Sequence, residues 1–303
     1  MHTTSLLTHD PAALDALSRV KVLYTDLDGT LLAKGGCVLA NAEGGPSTGV
    51  AEAIVALNAA GLTIVPISGR GRLQLIELTR LLGWSDFIAE AGAILVRGVG
   101  TPEGATVTYN NGQWPEGPHV GSGETPYRVI ERSGAYELLR ERFPHLVEYH
   151  TPWHENREST HLLRGCLDVV EAQRVIDAVE PPVGILDNGV VRNPGNLRCD
   201  GELPHAYHLV PRGVSKAQAI ALDLEARGLR PDQAAAIGDS ATDIEMADAV
   251  AVMALVDNAF HSNGVRAELE RVKRPNVYRT CCARGEGWAE FATAWLAARA
   301  NRD

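Results

Sequence analysis

The fold is decided by one short stretch, Val20-Lys21-Val22-Leu23-Tyr24-Thr25-Asp26-Leu27-Asp28-Gly29-Thr30. It is an apolar β-type run that ends in two carboxylates, followed by a Gly-Thr turn. Residues i and i+2 of an extended chain point the same way, so Asp26 and Asp28 are expected to face one ligand. Adjacent carboxylates repel each other unless a cation lies between them. The stretch therefore predicts a metal-binding strand end, although Asp-x-Asp-Gly alone also fits a surface turn.

Two further apolar runs end in polar residues. Leu62–Ile67 precedes Ser68-Gly69-Arg70, and Ala234–Ile237 precedes Gly238-Asp239-Ser240-Ala241-Thr242-Asp243. Open α/β sheets place their ligands at such strand ends. The three strand ends together predict one site for Mg²⁺ and a phosphoryl group.

Two parts of this prediction have simpler alternatives. If a helix begins at residue 241, Asp239 and Asp243 stand four apart and share one face, although helix capping alone also accounts for Asp and Ser at this place. Lys216 begins a helix-like stretch, where a lysine on its own is usually a solvated side chain. In combination with the three strand ends, Lys216 becomes a candidate phosphate ligand.

The flanking parts of the chain alternate between strand-like and helix-like patterns, which predicts an α/β fold with a parallel sheet covered by helices on both faces. The predicted strands are 20–25, 62–67, 234–237 and 250–253, and the predicted helices are 50–60, 72–82, 216–227, 241–247 and 288–300. The segment between Arg70 and Lys216 is far too long for a loop, so we expect a folded insertion there. Its predicted strands are 93–96, 105–109, 146–150, 160–167 and 183–186, and its predicted helices are 127–142 and 169–179. The Gly- and Pro-rich segment 112–123 is expected to be an exposed connection.

The motifs resemble those of the haloacid dehalogenase-like superfamily, and more narrowly its Cof-like branch, which includes sugar phosphatases and sucrose-phosphate phosphatases. The matching segments are Asp26 to Thr30, Ser68-Gly69-Arg70, Arg212-Gly213-Val214-Ser215-Lys216, and Gly238 to Asp243 with Thr242 where Asn is usual. Glu90-Ala91-Gly92-Ala93 also resembles the family's Glu-Asn-Gly-Ala. The resemblance spans nearly the whole chain and implies a Rossmann-like core, 1–91 and 208–303, with an inserted α/β cap domain at 92–207.

The resemblance also implies a role for each matching residue. Asp26 would attack phosphorus and form an aspartyl-phosphate, while Asp28 would protonate the leaving oxygen and later accept a proton from water. Mg²⁺ would be held by Asp26, Asp28 through its backbone carbonyl, and Asp239. The phosphate would be held by Ser68, Gly69 and Lys216, and the supporting residues would be Thr30, Thr242 and Asp243, the last of which would hold Lys216 or a metal-bound water.

Other polar residues are candidates for contacts with the rest of the substrate, or else lie on the surface: Arg70, His154, Arg157, Arg164 and Arg192. His150, His154 and His161 have irregular spacing and no cysteine nearby, which does not make a zinc motif.

Composition narrows the class of protein. The 303 residues are 45% hydrophobic, which suits packed cores, and the net charge of −10 argues against a nucleic-acid partner. No apolar run is long enough to span a membrane, and the first residues do not resemble a signal peptide. The five cysteines include no Cys-x-x-Cys pair, so we expect reduced thiols in the cytoplasm.

The sequence thus predicts a Mg²⁺-dependent phosphatase that acts on a small phosphorylated metabolite, with a sugar or polyol phosphate as the expected substrate. A phosphohexomutase of the same architecture is one alternative, and a non-catalytic ligand-binding protein is another. The presence of both Asp26 and Asp28 argues against the non-catalytic alternative. The oligomeric state is not indicated.

Overall fold

The computed structural model of the protein describes residues 4–115, 124–193 and 195–302, so residues 116–123 of the predicted exposed connection lie outside the described residues. The chain divides into two compact units. Unit 1 contains the described residues up to Ser68, Leu78–Phe87, and those from Lys216 onward. Unit 2 contains Gly69–Glu77 and the described residues of Ile88–Ser215. The predicted domain limits at 91 and 207 stay a prediction.

The helices and strands are numbered in chain order. The helices are α1 Pro11–Leu17, α2 Gly49–Ala59, α3 Arg72–Leu82, α4 Pro126–Ser133, α5 Ala135–Arg142, α6 Val169–Ile176, α7 Lys216–Arg227, α8 Asn263–Val272 and α9 Arg284–Ala300. The strands are β1 Val22–Thr25, β2 Thr63–Pro66, β3 Phe87–Ala89, β4 Ile94–Arg97, β5 Thr106–Tyr109, β6 Val147–Tyr149, β7 His161–Gly165, β8 Val183–Val190, β9 His205–Pro211, β10 Ala234–Gly238, β11 Val252–Leu255 and β12 Val277–Arg279.

Unit 1 is built on a five-stranded sheet with the order β12-β11-β10-β1-β2. All neighbouring strands are parallel, and Thr25 is in register with Ile237 on one side and Pro66 on the other. Every residue of β1 is buried, as expected for a parallel strand covered on both faces. The predicted parallel sheet is confirmed.

Two hydrogen bonds show which helices cover the two faces of this sheet. Tyr24 Oη donates to Asp223 of α7 at 2.7 Å, and Trp288 Nε1 of α9 donates to Thr25 Oγ1 at 3.0 Å. Successive residues of a strand point to opposite faces, so α7 and α9 lie on opposite sides of β1. The prediction of helices on both faces is therefore also confirmed.

Unit 2 contains a four-stranded antiparallel sheet with the order β6-β7-β9-β8. Leu163 of β7, Leu209 of β9 and Ile185 of β8 pack in a buried core with residues of α4, α5 and α6. A separate sheet has the order β3-β4-β5. The insertion is thus an α/β structure with a hydrophobic core of its own, as predicted.

The predicted helix 241–247 is wrong. Residues 239–243 form a turn, and only a short 3-10 segment, Ile244–Asp248, follows. The Asp243 carboxylate accepts hydrogen bonds from the backbone N–H groups of Asp239 and Ser240. A side chain that binds nearby backbone in this way competes with helix formation.

Other predictions of elements need smaller corrections. The helix predicted over 127–142 is divided at Gly134, whose φ of 74° ends α4 and precedes α5. The sequence reading missed α1, β3, β9, α8 and β12. In the described parts of the chain, no helix combines the length and the apolar character needed to cross a membrane.

The prediction of reduced cysteines is wrong for one pair, because Cys166 and Cys199 form a disulfide within unit 2. The two cysteines are 33 residues apart, and the fold brings the segment between β8 and β9 to the end of β7. Spacing in the sequence gives no sign of this proximity. Cys37, Cys281 and Cys282 are free and exposed.

Candidate active site

The centre of the candidate site is Asp26, the first residue after β1, which is 8% exposed. Asp26 and Tyr24 stand two apart and face the α7 side of the sheet, where Lys216 is the first residue of α7. Lys216 Nζ lies 3.0 Å from Asp26 Oδ1, and Thr30 Oγ1 donates to Asp26 Oδ2 at 3.0 Å. Both oxygens of Asp26 are therefore held in place.

The turn after β10 supplies two more carboxylates. Asp243 is fully buried, and its Oδ2 accepts from the N–H groups of Asp239 and Ser240 and from Ser240 Oγ at 3.0, 2.9 and 2.7 Å. Its Oδ1 accepts from Lys216 Nζ at 2.5 Å. Asp239 has one oxygen bound by the side-chain amide of Asn258 at 3.0 Å.

Two glycines make this close arrangement possible. Gly29 has a φ of +94°, and a Cβ there would lie 2.2 Å from Asp239 Oδ2. A Cβ at Gly238 would lie 2.4 Å from that of Asp243. A larger residue at either position would push a carboxylate away, so these glycines are required by the site itself.

The site carries more negative than positive charge. Carboxylate oxygens of Asp26, Asp239 and Asp243 all lie within 4.8 Å of one another, against the single ammonium group of Lys216. Burial raises the pKa of Asp26 to about 6, with Asp243 and Asp28 adding to the effect and Lys216 opposing it. Burial and the neighbouring Asp26 likewise raise the pKa of Asp239.

Lys216 and Asp243 form a pair that stays charged. Burial works to lower the pKa of Lys216, but the carboxylates of Asp243 and Asp26 outweigh it and raise that pKa. Burial works to raise the pKa of Asp243, but Lys216 and Ser240 lower it. Lys216 is therefore a fixed positive charge beside Asp26 at neutral pH.

These residues fit a small divalent cation. The candidate ligands are hard carboxylate oxygens, which Mg²⁺ prefers, and the excess of negative charge would be reduced by a cation. Asp243 is the poorer ligand, because its Oδ2 accepts three bonds from protein donors and its Oδ1 accepts from Lys216, whereas each oxygen of Asp26 accepts one. Asp26 and Asp239 are the carboxylates that fit the metal best.

The structure also places the other candidate residues of unit 1. Asp28 is exposed, and Ser68 is buried at 3% exposure. Thr242 Oγ1 lies 2.9 Å from Ser240 Oγ. Because the single hydroxyl hydrogen of Ser240 is donated to Asp243, Thr242 is the donor to Ser240. Thr242 therefore supports the turn that carries the carboxylates.

Arg157, a candidate for substrate contact, supports the structure of unit 2. Its guanidinium donates to the carbonyls of Trp153 and Gly69 at 3.0 and 2.9 Å and to Thr160 Oγ1 at 3.1 Å. The side chain is 8% exposed. These bonds fix the backbone of Gly69, and they favour a bracing role for Arg157 over a direct contact with substrate.

The remaining candidates of unit 2 are not gathered into one cluster by the described contacts. Arg164 is 6% exposed and binds Glu148 through Nε at 2.7 Å. His154 stacks on Tyr149 with ring centroids 5.0 Å apart, while Arg192 is exposed. The Arg70 carbonyl accepts from the N–H of Glu90 at 2.9 Å.

Residues that were not among the candidates from the sequence support the site from outside. Asp223 of α7 binds Tyr24 at 2.7 Å and also accepts from Arg227, which bridges to Asp86. Asn258 follows β11 and binds both Asp239 and the Gly29 carbonyl. The signal for Asn258 was available, because β11 is a further apolar run that ends in polar residues.

A comparison with protein families finds a match over part of the site. The family model described as haloacid dehalogenase-like hydrolase matches residues 186–266, which include Lys216, Asp239 and Asp243. The chain is similar to this family over that segment. This similarity agrees with the resemblance of the sequence motifs to that family.

Two curated relatives of the chain are named phosphoglycolate phosphatase. The protein from Methanothrix thermoacetophila is 30% identical over 166 residues, which are 54% of this chain and 64% of that protein. The match thus spans less than two thirds of that relative. The protein from Methanoculleus marisnigri is 28% identical over 241 residues, which are 79% of this chain and 85% of that protein.

Solved structures show the same fold. The sucrose-phosphatase of Synechocystis, determined with sucrose and phosphate, has a TM-score of 0.60 and 14% identity. The match covers 92% of this chain and 98% of that one. The fold of this solved structure therefore extends over nearly the whole chain, in agreement with the fold class predicted from the sequence.

Proposed function

We propose that the protein is a Mg²⁺-dependent phosphatase that hydrolyses a small phosphorylated metabolite through an aspartyl-phosphate on Asp26. The observation that carries the proposal is the position of Asp26 at the end of β1, with Lys216 3.0 Å from one of its oxygens and Asp239 beside it. The names of the two curated relatives support phosphate-ester hydrolysis.

The proposed reaction has two steps. In the first, an Asp26 oxygen forms a bond to phosphorus as the ester P–O bond breaks, and Asp28 gives its proton to the leaving oxygen. In the second, water attacks the phosphorus, Asp28 takes a proton from that water, and the Asp26–phosphorus bond breaks to release inorganic phosphate. Asp26, Asp239 and the Asp28 carbonyl would hold Mg²⁺, which would supply positive charge to offset the phosphoryl oxygens.

The remaining site residues hold the phosphoryl group in this proposal. Lys216 stays protonated because its two carboxylate partners raise its pKa, so it presents a fixed positive charge. Ser68 and the adjacent Gly69 are the proposed hydrogen-bond donors to phosphate. Thr30 holds Asp26, and Asp243 holds Lys216 in place.

Two substrate classes are proposed for the test. A sugar or polyol phosphate follows from the sequence motifs, and phosphoglycolate is the substrate in the names of both relatives. Arg70, His154, Arg164 and Arg192 stay proposed contacts for the part of the substrate that is not transferred. Arg157 is proposed to hold the backbone of Gly69 in place instead.

The test is release of inorganic phosphate from phosphoglycolate and a panel of sugar and polyol phosphates, with Mg²⁺ and with EDTA. Activity is expected only with Mg²⁺, and Asp28→Asn is expected to reduce it by about 10²–10⁴-fold because proton transfer is lost. Full activity in EDTA would remove the metal from the proposal. A requirement for a sugar bisphosphate activator would favour the phosphohexomutase, and the absence of turnover on every ester would favour the non-catalytic protein.

A cytoplasmic location stays part of the proposal. The Cys166–Cys199 disulfide is the observation that weighs against it, because reducing compartments keep most thiols reduced. Mass spectrometry of protein that is alkylated in its own cells before isolation counts the alkylated cysteines and decides the question. Five alkylated cysteines would agree with the cytoplasm, and three would agree with a persistent disulfide.

A further inference from the structure

Asn258 lies in the 3-10 segment Asp257–His261 after β11, and both ends of its side chain are bonded. Nδ2 donates to Asp239 Oδ2 at 3.0 Å and to the Gly29 carbonyl at 3.1 Å. Oδ1 accepts from the backbone N–H of Arg284 at 2.8 Å. A primary amide has two donor hydrogens and one acceptor oxygen. Because the Gly29 carbonyl can only accept and the Arg284 N–H can only donate, the amide has one possible orientation.

This amide determines which oxygen of Asp239 is left for a cation. Asp239 Oδ2 is taken by Asn258, and the described donor nearest to Oδ1 is Thr30 Oγ1 at 3.4 Å. The same hydroxyl is 3.0 Å from Asp26 Oδ2, and it has only one hydrogen to donate. The shorter bond takes that hydrogen, so Asp239 Oδ1 is the oxygen that faces the site without a strong protein donor.

We propose that Asn258 is a positioning residue that sets the affinity of the site for Mg²⁺, by holding Asp239 with Oδ1 directed at the cation. The inference rests on the metal requirement of the proposed function. The same amide fixes the Gly29 carbonyl, in the turn between Asp28 and Thr30. One side chain after β11 thus ties the turn that follows β1 to the carboxylate that follows β10.

A purely structural role for Asn258 needs its own control, because Arg284 has a positive φ of 50° and its N–H depends on Asn258 Oδ1. Asn276 provides the matched variant. Its Nδ2 donates to the carbonyls of Ala247 and Val250 at 2.8 and 2.9 Å, so it also braces loops of unit 1 by two bonds from one amide. Its described bonds do not include a carboxylate of the site.

The experiment measures Mg²⁺ binding to the metal-free full chain by isothermal titration calorimetry, for wild type, Asn258→Ala and Asn276→Ala. The Kd for Mg²⁺ is expected to rise about 10–100-fold in Asn258→Ala, the usual effect of losing a residue that orients a metal ligand. In Asn276→Ala the Kd is expected to stay within about threefold of wild type, while the melting temperature in EDTA falls in both variants.

An Asn258→Ala Kd within about threefold of wild type, or an equal rise in Asn276→Ala, overturns the inference. If Asn258→Ala does not fold, Asn258→Leu, which keeps the bulk and removes both donors, takes its place, and wild-type affinity in that variant overturns the inference equally. Wild type that does not bind Mg²⁺ would overturn the metal requirement together with this inference. Wild type that binds Mg²⁺ but hydrolyses no phosphate ester would overturn the proposed function and leave the role of Asn258 standing.

Discussion

Asp26 is a buried acid whose two oxygens are both engaged, by Lys216 and by Thr30. We expect Asp26→Asn to lose turnover at least about 10³-fold, because an amide keeps the shape but cannot act as the nucleophile. The melting temperature of the metal-free protein is expected not to fall, because burial disfavours the charged form of Asp26. Steady-state kinetics and thermal denaturation in EDTA test both expectations. Activity within tenfold of wild type would contradict the assignment of the nucleophile.

Thr242 is the residue of the motif that departs from the usual Asn. Its hydroxyl donates to Ser240, which in turn donates to Asp243. An asparagine amide can replace this donor, so Thr242→Asn is expected to change kcat by less than about tenfold, or about 1.4 kcal/mol of barrier. Thr242→Val, which keeps the shape and removes the donor, is the matched control. A much larger loss in Thr242→Asn would indicate that Thr242 contacts the substrate.

Among the helices and strands, β1 and α7 have to be fixed in position relative to each other for the site to form. Tyr24 and Asp26 of one segment meet Asp223 and Lys216 of the other. Tyr24→Phe leaves the buried Asp223 carboxylate with one donor fewer, so the free energy of unfolding is expected to fall by about 1–3 kcal/mol. Urea denaturation measures it. Tyr278→Phe, at the edge strand β12, is the control and is expected to cost less.

The elements that carry the site could largely be predicted, and those that support it could not. Short apolar runs such as β1, β2 and β10 have a strong pattern, and carboxyl ends of parallel strands meet at one edge of a sheet. The helix predicted at 241–247 failed because Asp243 binds the backbone of its own turn, a choice that the pattern of apolar residues does not reveal. Asp223 acts through partners distant in sequence, so the local pattern could not identify it, whereas Asn258 follows the apolar run of β11 and could have been identified.

For the whole molecule, the acidic site links stability to pH and to metal. The pKa of Asp26 is raised to about 6, so its contribution to folding is fully present below its unfolded pKa of about 3.9 and is lost as the pH rises through about 6. Asp239 acts in the same direction. Mg²⁺ and protons compete for these oxygens, so the rise in melting temperature caused by Mg²⁺ is expected to be larger at about pH 7.5 than at about pH 5. Differential scanning fluorimetry with and without Mg²⁺ measures this.

Asp26→Asn is the control. In this variant the rise in melting temperature caused by Mg²⁺ is expected to depend less on pH than in wild type. In wild type, Mg²⁺ could raise the melting temperature by the same amount at both pH values. That result would show that the metal does not displace protons from the site. The opposite trend, with a larger increase at low pH, would contradict the assignment of Asp26 and Asp239 as metal ligands.

The pairing of β1 with β10 also constrains the order of events during protein synthesis. The two strands are neighbours in the sheet of unit 1, yet the whole of Ile88–Ser215 is translated between them. At about 5–20 residues per second, β1 leaves the ribosome roughly 10–40 s before its partner is made. Unit 2 has a hydrophobic core within its own segment and can be completed first. The nascent chain therefore carries the β10-facing edge of β1 unpaired for that interval, and an unpaired apolar strand edge is prone to pair with other chains.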